Sequence, residues 1–409
     1  MLIKNSYPKI KSHVFLLLLL CAIFLGALTG IFLGSKAHVL KPLGDIFLNL
    51  LFTVVTPLVF FSIASAISEL TYIGKIFIKM LLVFLFTSII AAIFMLIVVM
   101  VFPLGQGMTL PLATSMPMMS INLSEHIVNM LTVSDFLKLF SRENMLALII
   151  ISILVGVATA SLGEKAKSFA AFLQAGKDVS MKVVSYVMYY APIGFFAYFA
   201  VLIGDMGSTL LESYLHVTLV YYFSALIYFV FALSFYAYLA NKTWGVKIFW
   251  KNISLPAVTA FATCSSAASI PANLQATQQM GVTEKIYELV IPLGSLIHKD
   301  GSVLGGIVKI AFLFGLLHMP FASADVLMMA CLISILVGTV MGAIPSGGMV
   351  GEMLILSVYA FPPQTLILMA AISLLIDPPA TLLNVTSNTV CSMLVDRFNK
   401  SSRVSLRHT

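Results

Sequence analysis

The chain has 409 residues, 60% of them hydrophobic and 10% charged, with a mean hydropathy of +1.05. These values lie far outside the range of soluble globular domains and describe an all-α integral membrane protein. The net charge of +7 does not indicate nucleic acid, because the basic residues sit at the ends of apolar runs, where membrane orientation puts them.

Basic residues precede the first apolar run, 14–34, as in a signal peptide. No small-x-small cleavage site closes the run, so it reads as a retained span. Further runs long enough to cross a bilayer follow at 46–68, 76–103, 145–160, 183–203, 217–239, 286–317 and 366–395, which makes eight spans. The stretch 105–144 reads as a polar outer loop. Two other apolar stretches, 253–280 and 322–360, are interrupted by small and turn-forming residues, Ser265 to Pro271 in one and Gly342 to Gly348 in the other. Such interruptions suit re-entrant hairpins whose tips are buried in protein or face water.

The densest chemistry lies in the seventh span, where His298, Lys299 and Asp300 stand in a row with Pro292, Gly294 and Gly301 around them. Ionised groups at the centre of a span cost roughly 2.5–3.5 kcal/mol each, so they are normally paired and functional. The glycines and proline allow the helix to break and turn its polar backbone toward a cavity. A second such place is Asp377-Pro378-Pro379 in the eighth span. Asp300 follows Ser266 by 34 residues and Asp377 follows Gly342 by 35. Paired interruptions at corresponding positions of two halves point to an inverted-repeat transporter with its site at the breaks.

Of the 23 lysines and arginines, only Lys36, Lys41, Lys138 and Arg142 fall on the outer side when the N-terminus is inside. Lys299 and Lys309 lie within a span. This bias predicts a multi-pass protein of the cell (inner) membrane with both termini cytoplasmic. The four cysteines are scattered, with no metal spacing, so no cofactor is expected. The seven histidines form no HExxH, and no nucleophile–base pair is evident, so the protein is not expected to be an enzyme.

The run Ala191-Pro192-Ile193-Gly194, the serine-rich tip before Pro271, the Asp300-Gly301-Ser302 break, the Ile344-Pro345 tip and Asp377…Thr381…Asn384 together resemble the dicarboxylate/amino acid:cation symporters. This family includes the glutamate transporters and their archaeal homologue. The resemblance implies a homotrimer working by an elevator-type movement. It assigns 1–75 and 123–208 to scaffold and trimerisation helices, and 76–122 and 209–400 to a transport domain. The latter would hold hairpin one (about 246–281), the seventh span (286–317), hairpin two (322–361) and the eighth span (364–397), with 401–409 as a cytoplasmic tail.

The resemblance also assigns roles. Asp377 would take the ammonium of an amino acid, as carboxylate chemistry suits; the alternative is a structural aspartate at the proline break. Asn384 and the tip serines Ser265 and Ser266 would take its α-carboxylate, with Thr381 and Ser302 flanking the pocket. Ile344, Gly347 and Gly348 would form the second tip as a gate. Thr87, Ser88 and Asp300 would offer oxygen ligands to sodium. The chain departs from the pattern where acidic-substrate members carry an arginine, since Ala380 and Cys264 stand there. Without that bidentate clamp a neutral amino acid is favoured. The family's sodium-binding aspartate is Asn388, and its Asn-Met-Asp-Gly-Thr reads His298-Lys299-Asp300-Gly301-Ser302. A cationic Lys299 with Asp300 as its counter-charge would displace or repel one cation, making transport sodium-independent or proton-linked through His298 or Lys299. The competing readings are a sodium- or proton-coupled acidic amino acid or dicarboxylate symporter that grips its anion with Lys299, and a solute or ion channel.

Overall fold

The computed structural model describes residues 12–68, 75–106, 128, 131–141, 144–207, 209–340 and 348–405, and among these the regular structure is entirely helical. The helices are α1 (Ser12–Leu33), α2 (Lys41–Ser68), α3 (Lys75–Val101), α4 (Met145–Leu162), α5 (Lys167–Met206), α6 (Thr209–Ile227), α7 (Leu233–Asn252), α8 (Ser254–Thr263), α9 (Ile270–Gln279), α10 (Glu284–Ile297), α11 (Asp300–Leu316), α12 (Ala324–Val340), α13 (Gly348–Tyr359) and α14 (Thr365–Ser405). Five helical stretches are long and apolar enough to cross a membrane: Leu17–Ser68, Ile76–Val101, Met145–Asp205, Leu210–Asn252 and Thr365–Asn399. The longest, at 61 and 52 residues, far exceed the roughly 20 residues of one crossing and have room for two.

The helices pack in two sets. In one, α5 lies along α1 and α2, and α2 along α4; in the other, α14 is the axis against which α6, α7, α8, α9, α10, α11 and α13 pack, with α3 against α11, α12 and α14. Close approach of backbones needs glycine in both. Gly26 and Gly30 of α1 lie against carbonyl oxygens of Phe196 and Ala200, leaving no space for a Cβ.

Local chemistry explains where the second set bends. Asn241 and Lys242 leave helical geometry (Lys242 at φ 49°), kinking α7 before the chain enters the first hairpin. That hairpin is two ten-residue helices, α8 and α9. Cys264 ends α8 in the left-handed region at φ 49°, and Pro271 opens α9 at a position where its missing N–H costs nothing. The expected break in the seventh span is present: His298 is extended and Lys299 is also non-helical, so the span is two helices, α10 and α11. Helices α12 and α13 correspond to the arms of the second expected hairpin. The tip between them, with Ile344 and Gly347, lies outside the described residues, as do most of the expected outer loop and the end of the tail.

One expectation is corrected. The eighth span is not ruptured: α14 runs unbroken for 41 residues through Pro378 and Pro379. A proline leaves the carbonyl four residues earlier without its helical donor. For Pro379 that carbonyl belongs to Leu375, and the Tyr222 hydroxyl of α6 donates to it at 3.1 Å. An outside donor thus repairs the ladder. The fifth span likewise extends beyond its expected limits, into a 40-residue helix that passes through Pro192.

Candidate functional site

The break at His298–Lys299 leaves backbone groups without helical partners, and α14 supplies them. Asn384 Oδ1 accepts from the Ser302 amide at 3.1 Å, and its Nδ2 donates to Ser302 Oγ at 3.2 Å. Asn388 Nδ2 donates to the Asn384 carbonyl at 2.8 Å and to the His298 carbonyl at 3.4 Å. Tyr221 of α6 donates to the Gly301 carbonyl at 2.7 Å. Gly301 lies directly on the Ala380 carbonyl, so the break and the stretch of α14 after Asp377 are in backbone contact. The two expected centres of chemistry therefore meet.

One part of this meeting place holds two partly buried charged groups. Asp377 is partly buried, and the hydrogen bond it makes among the described residues comes from Thr381 Oγ1 at 3.0 Å. Lys299 is also partly buried and makes no hydrogen bond or ion pair there, although it lies within electrostatic reach of Asp377. Cys264, at the first hairpin tip, also lies within electrostatic reach of Asp377. The tip is held against α14 by Asn273, whose Nδ2 donates to the Val385 carbonyl at 2.9 Å and whose Oδ1 accepts from Thr389. Ser266 is buried, while Ser265 Oγ is occupied in accepting the Ala268 amide at 3.2 Å.

The other part is a closed polar cluster between α3, α7, the α10–α11 break and α14. His298 is 1% exposed and Asp300 0%, so every polar atom needs a partner. His298 Nδ1 lies 2.8 Å from Asn388 Oδ1, which can only accept because the Asn388 amide nitrogen is spent on the Asn384 carbonyl. Nδ1 therefore carries a proton. Nε2 lies 2.8 Å from Thr87 Oγ1 and 3.0 Å from Asp300 Oδ1. Thr87 Oγ1 also donates to the Phe84 carbonyl at 3.2 Å. Ser88 donates to Asp300 Oδ1 at 3.2 Å and Tyr228 to Oδ2 at 3.5 Å. Phe84 stacks on the imidazole at 4.3 Å and 9°.

Of the residues expected at the site, Thr87, Ser88, His298, Asp300 and Asn388 meet in one cluster, Ser302 bonds Asn384, and Asp377 bonds Thr381, with one difference in pairing. Asp300 has the His298 ring, not Lys299, within ion-pair distance, while Lys299 lies within electrostatic reach of Asp377. Sequence reasoning had left out Phe84, Tyr221, Tyr222 and Tyr228. It had also left out a second buried cluster, in which Lys309 donates to Glu352 Oε1 at 3.3 Å and to Ser373 Oγ at 2.7 Å, and Ser373 donates to Glu352. A lysine in GGIVKIAF and a glutamate in VGEMLIL were a readable signal, since two opposite charges in apolar runs imply each other.

Long apolar helices, a helix broken at membrane depth and a polar centre closed by α14 define a multi-pass membrane transporter. The sequence agrees. The chain belongs to the sodium:dicarboxylate symporter family, whose profile matches residues 15–398. It is 25% identical over 403 residues to the proton/sodium-glutamate symport protein of Geobacillus stearothermophilus, covering 92% of this chain and 93% of that one. It is 27% identical over 392 residues to the C4-dicarboxylate transport protein of Brucella anthropi, covering 93% and 87%. The protein is a symport-type secondary transporter and not an enzyme.

Proposed function

We propose that the protein carries a small amino acid, with a neutral one favoured, across the cell (inner) membrane by an elevator-type movement, and that its cation coupling is altered. The observation that carries this reading is Asp377, a partly buried carboxylate beside the helix break with one hydrogen bond among the described residues, from Thr381. A buried carboxylate with open acceptor capacity is suited to an ammonium group. Ala380 fills the position of the family's arginine, and Arg397, at the far end of α14, donates instead to the Leu239 and Ala240 carbonyls. Without a guanidinium beside Asp377, a second substrate carboxylate has no bidentate partner.

Several further features support the rest of the proposal. Eight spans and two re-entrant hairpins, the arms being α8–α9 and α12–α13, accord with the helix lengths. The separate packing of α1, α2, α4 and α5 fits a scaffold in a homotrimer, beside a mobile transport domain formed by the rest, with both termini cytoplasmic. Ser266, Ser302, Thr381 and Asn384 line the α-carboxylate side of the pocket in this reading, and the second tip with Ile344, Gly347 and Gly348 is its gate. The imidazole of His298 stands where Thr87, Asp300 and Asn388 converge. The oxygens of Thr87, Ser88 and Asp300 that would suit sodium are already bonded to it or to each other, which favours sodium-independent or proton-linked transport.

A second reading has its own support. The relatives' names are those of glutamate and C4-dicarboxylate carriers, and the unpaired Lys299 ammonium could grip an anion. Competition for uptake into proteoliposomes separates the two. Serine or alanine should compete and aspartate and succinate should not, with uptake nearly flat in sodium. Displacement by aspartate or succinate alone, or a steep sodium dependence, would overturn the first reading.

A further inference from the structure

The buried charges of the second helix set can be matched one against another. Asp300 is matched within its own cluster by the His298 ring, with Ser88 and Tyr228 donating to its two oxygens. Glu352 is matched by Lys309, with Ser373 donating to it as well. Asp396 accepts from Thr283 at 2.6 Å. Lys299 and Asp377 have no ion-pair partner among the described residues, and they stand two and three residues, respectively, from the contact in which Gly301 of the break lies on the Ala380 carbonyl of α14. They lie within electrostatic reach of each other but form no ion pair. The stretch Met341 to Gly347 contains no charged residue, so it brings no counter-charge for either. A carboxylate and an ammonium left apart in a low-dielectric pocket are costly unless something bridges them.

From this we infer that Lys299 is a substrate-binding, specificity-determining residue: Asp377 and Lys299 form a two-point clamp for a zwitterion, the first holding the α-ammonium and the second the α-carboxylate. This rests on the amino-acid carrier reading and deepens it by naming what sets the substrate's charge. An α-amino acid carries both groups on one carbon, so it bridges two opposite charges that are near but not touching. Asn384 does not make Lys299 redundant. Its carbonyl oxygen and one amide hydrogen are spent on Ser302, which leaves it at most one donor for a carboxylate. With one positive and one negative wall, the pocket accepts a ligand of zero net charge. A ligand with an extra carboxylate would bury an unmatched charge, and so would one lacking its carboxylate.

The test is a melting-temperature and binding titration on the purified, detergent-solubilised full chain, using alanine, alaninamide, lactate and aspartate. In the wild-type protein alanine should bind, while alaninamide, which keeps the amine and lacks the carboxylate, and lactate, which lacks the amine, should bind roughly tenfold to a hundredfold more weakly. In Lys299→Met the affinity for alanine should fall by the same factor and alaninamide should become the better ligand, because the pocket then carries one net negative charge. Lys299→Arg should keep the wild-type order. A purely structural lysine would not reverse the order of the two ligands. Equal binding of alanine and alaninamide to wild-type protein overturns the clamp, and needs no variant to fold. Alanine affinity unchanged within twofold in folded Lys299→Met overturns it too. If wild-type protein responds to no amino acid, the carrier reading itself falls and the clamp falls with it.

Discussion

At the scale of the residue, the chemistry depends on which donor each buried acceptor is given. His298 is held through both nitrogens, and its ring is stacked on Phe84, so its position is over-determined. Restoring the family's residues with His298→Asn and Asn388→Asp would remove the ring and add a carboxylate among Thr87, Ser88 and Asp300. Sodium prefers hard oxygen ligands with negative charge. Uptake by this double variant should therefore become steeply sodium-dependent in a proteoliposome titration. The pair Lys299→Met with Asn388→Asp should move in the same direction but less, since the imidazole stays in place. Thr381→Val should weaken substrate binding by roughly fivefold to tenfold through lost orientation of Asp377, with little change in melting temperature, because one hydrogen bond is worth about 1 kcal/mol.

Helices here are interrupted and repaired from outside. Two consecutive non-helical residues break the seventh span, and α14 closes the wound with Asn384 and Asn388. In the eighth span, the helix runs on through two consecutive prolines, and Tyr222 bonds the Leu375 carbonyl that Pro379 frees. Tyr222→Phe should therefore destabilise the chain by about 1 kcal/mol and lower uptake by loosening the stretch that carries Asp377. Substituting Gly301 is more severe, since a Cβ there would collide with the Ala380 carbonyl, which is backbone and cannot swing aside. Gly301→Ala should abolish uptake and lower the melting temperature, whereas Gly163→Ala, at a turn with open space around it, should cost only the strain of its positive φ.

For the molecule as a whole, the Lys309–Glu352–Ser373 cluster ties α11, α13 and α14 into one body below the pocket. Glu352 is 0% and Lys309 2% exposed. Removing one partner of a buried pair typically costs 3–5 kcal/mol, while replacing both by apolar groups is often neutral. Glu352→Gln should therefore lower the melting temperature sharply, and Lys309→Met with Glu352→Leu should recover most of the loss. If the single and double variants melt alike, the pair does not tie these helices together.

How much of this was legible beforehand varied with the range of the interactions. The long apolar helices and the break at His298–Lys299 could be read because hydrophobic runs, charges among apolar residues and turn residues act within a few residues of where they stand. The choice of partners could not be read. Asp300 lies next to Lys299 in the chain yet takes His298, and Pro379 depends on a tyrosine 157 positions earlier. The amino-acid sequence by itself determined that the chain is helical, lies in a bilayer and carries charges that must be paired, because desolvation permits nothing else. Only the tertiary structure decided which charges pair with each other, because that depends on the directions in which side chains leave packed and broken helices.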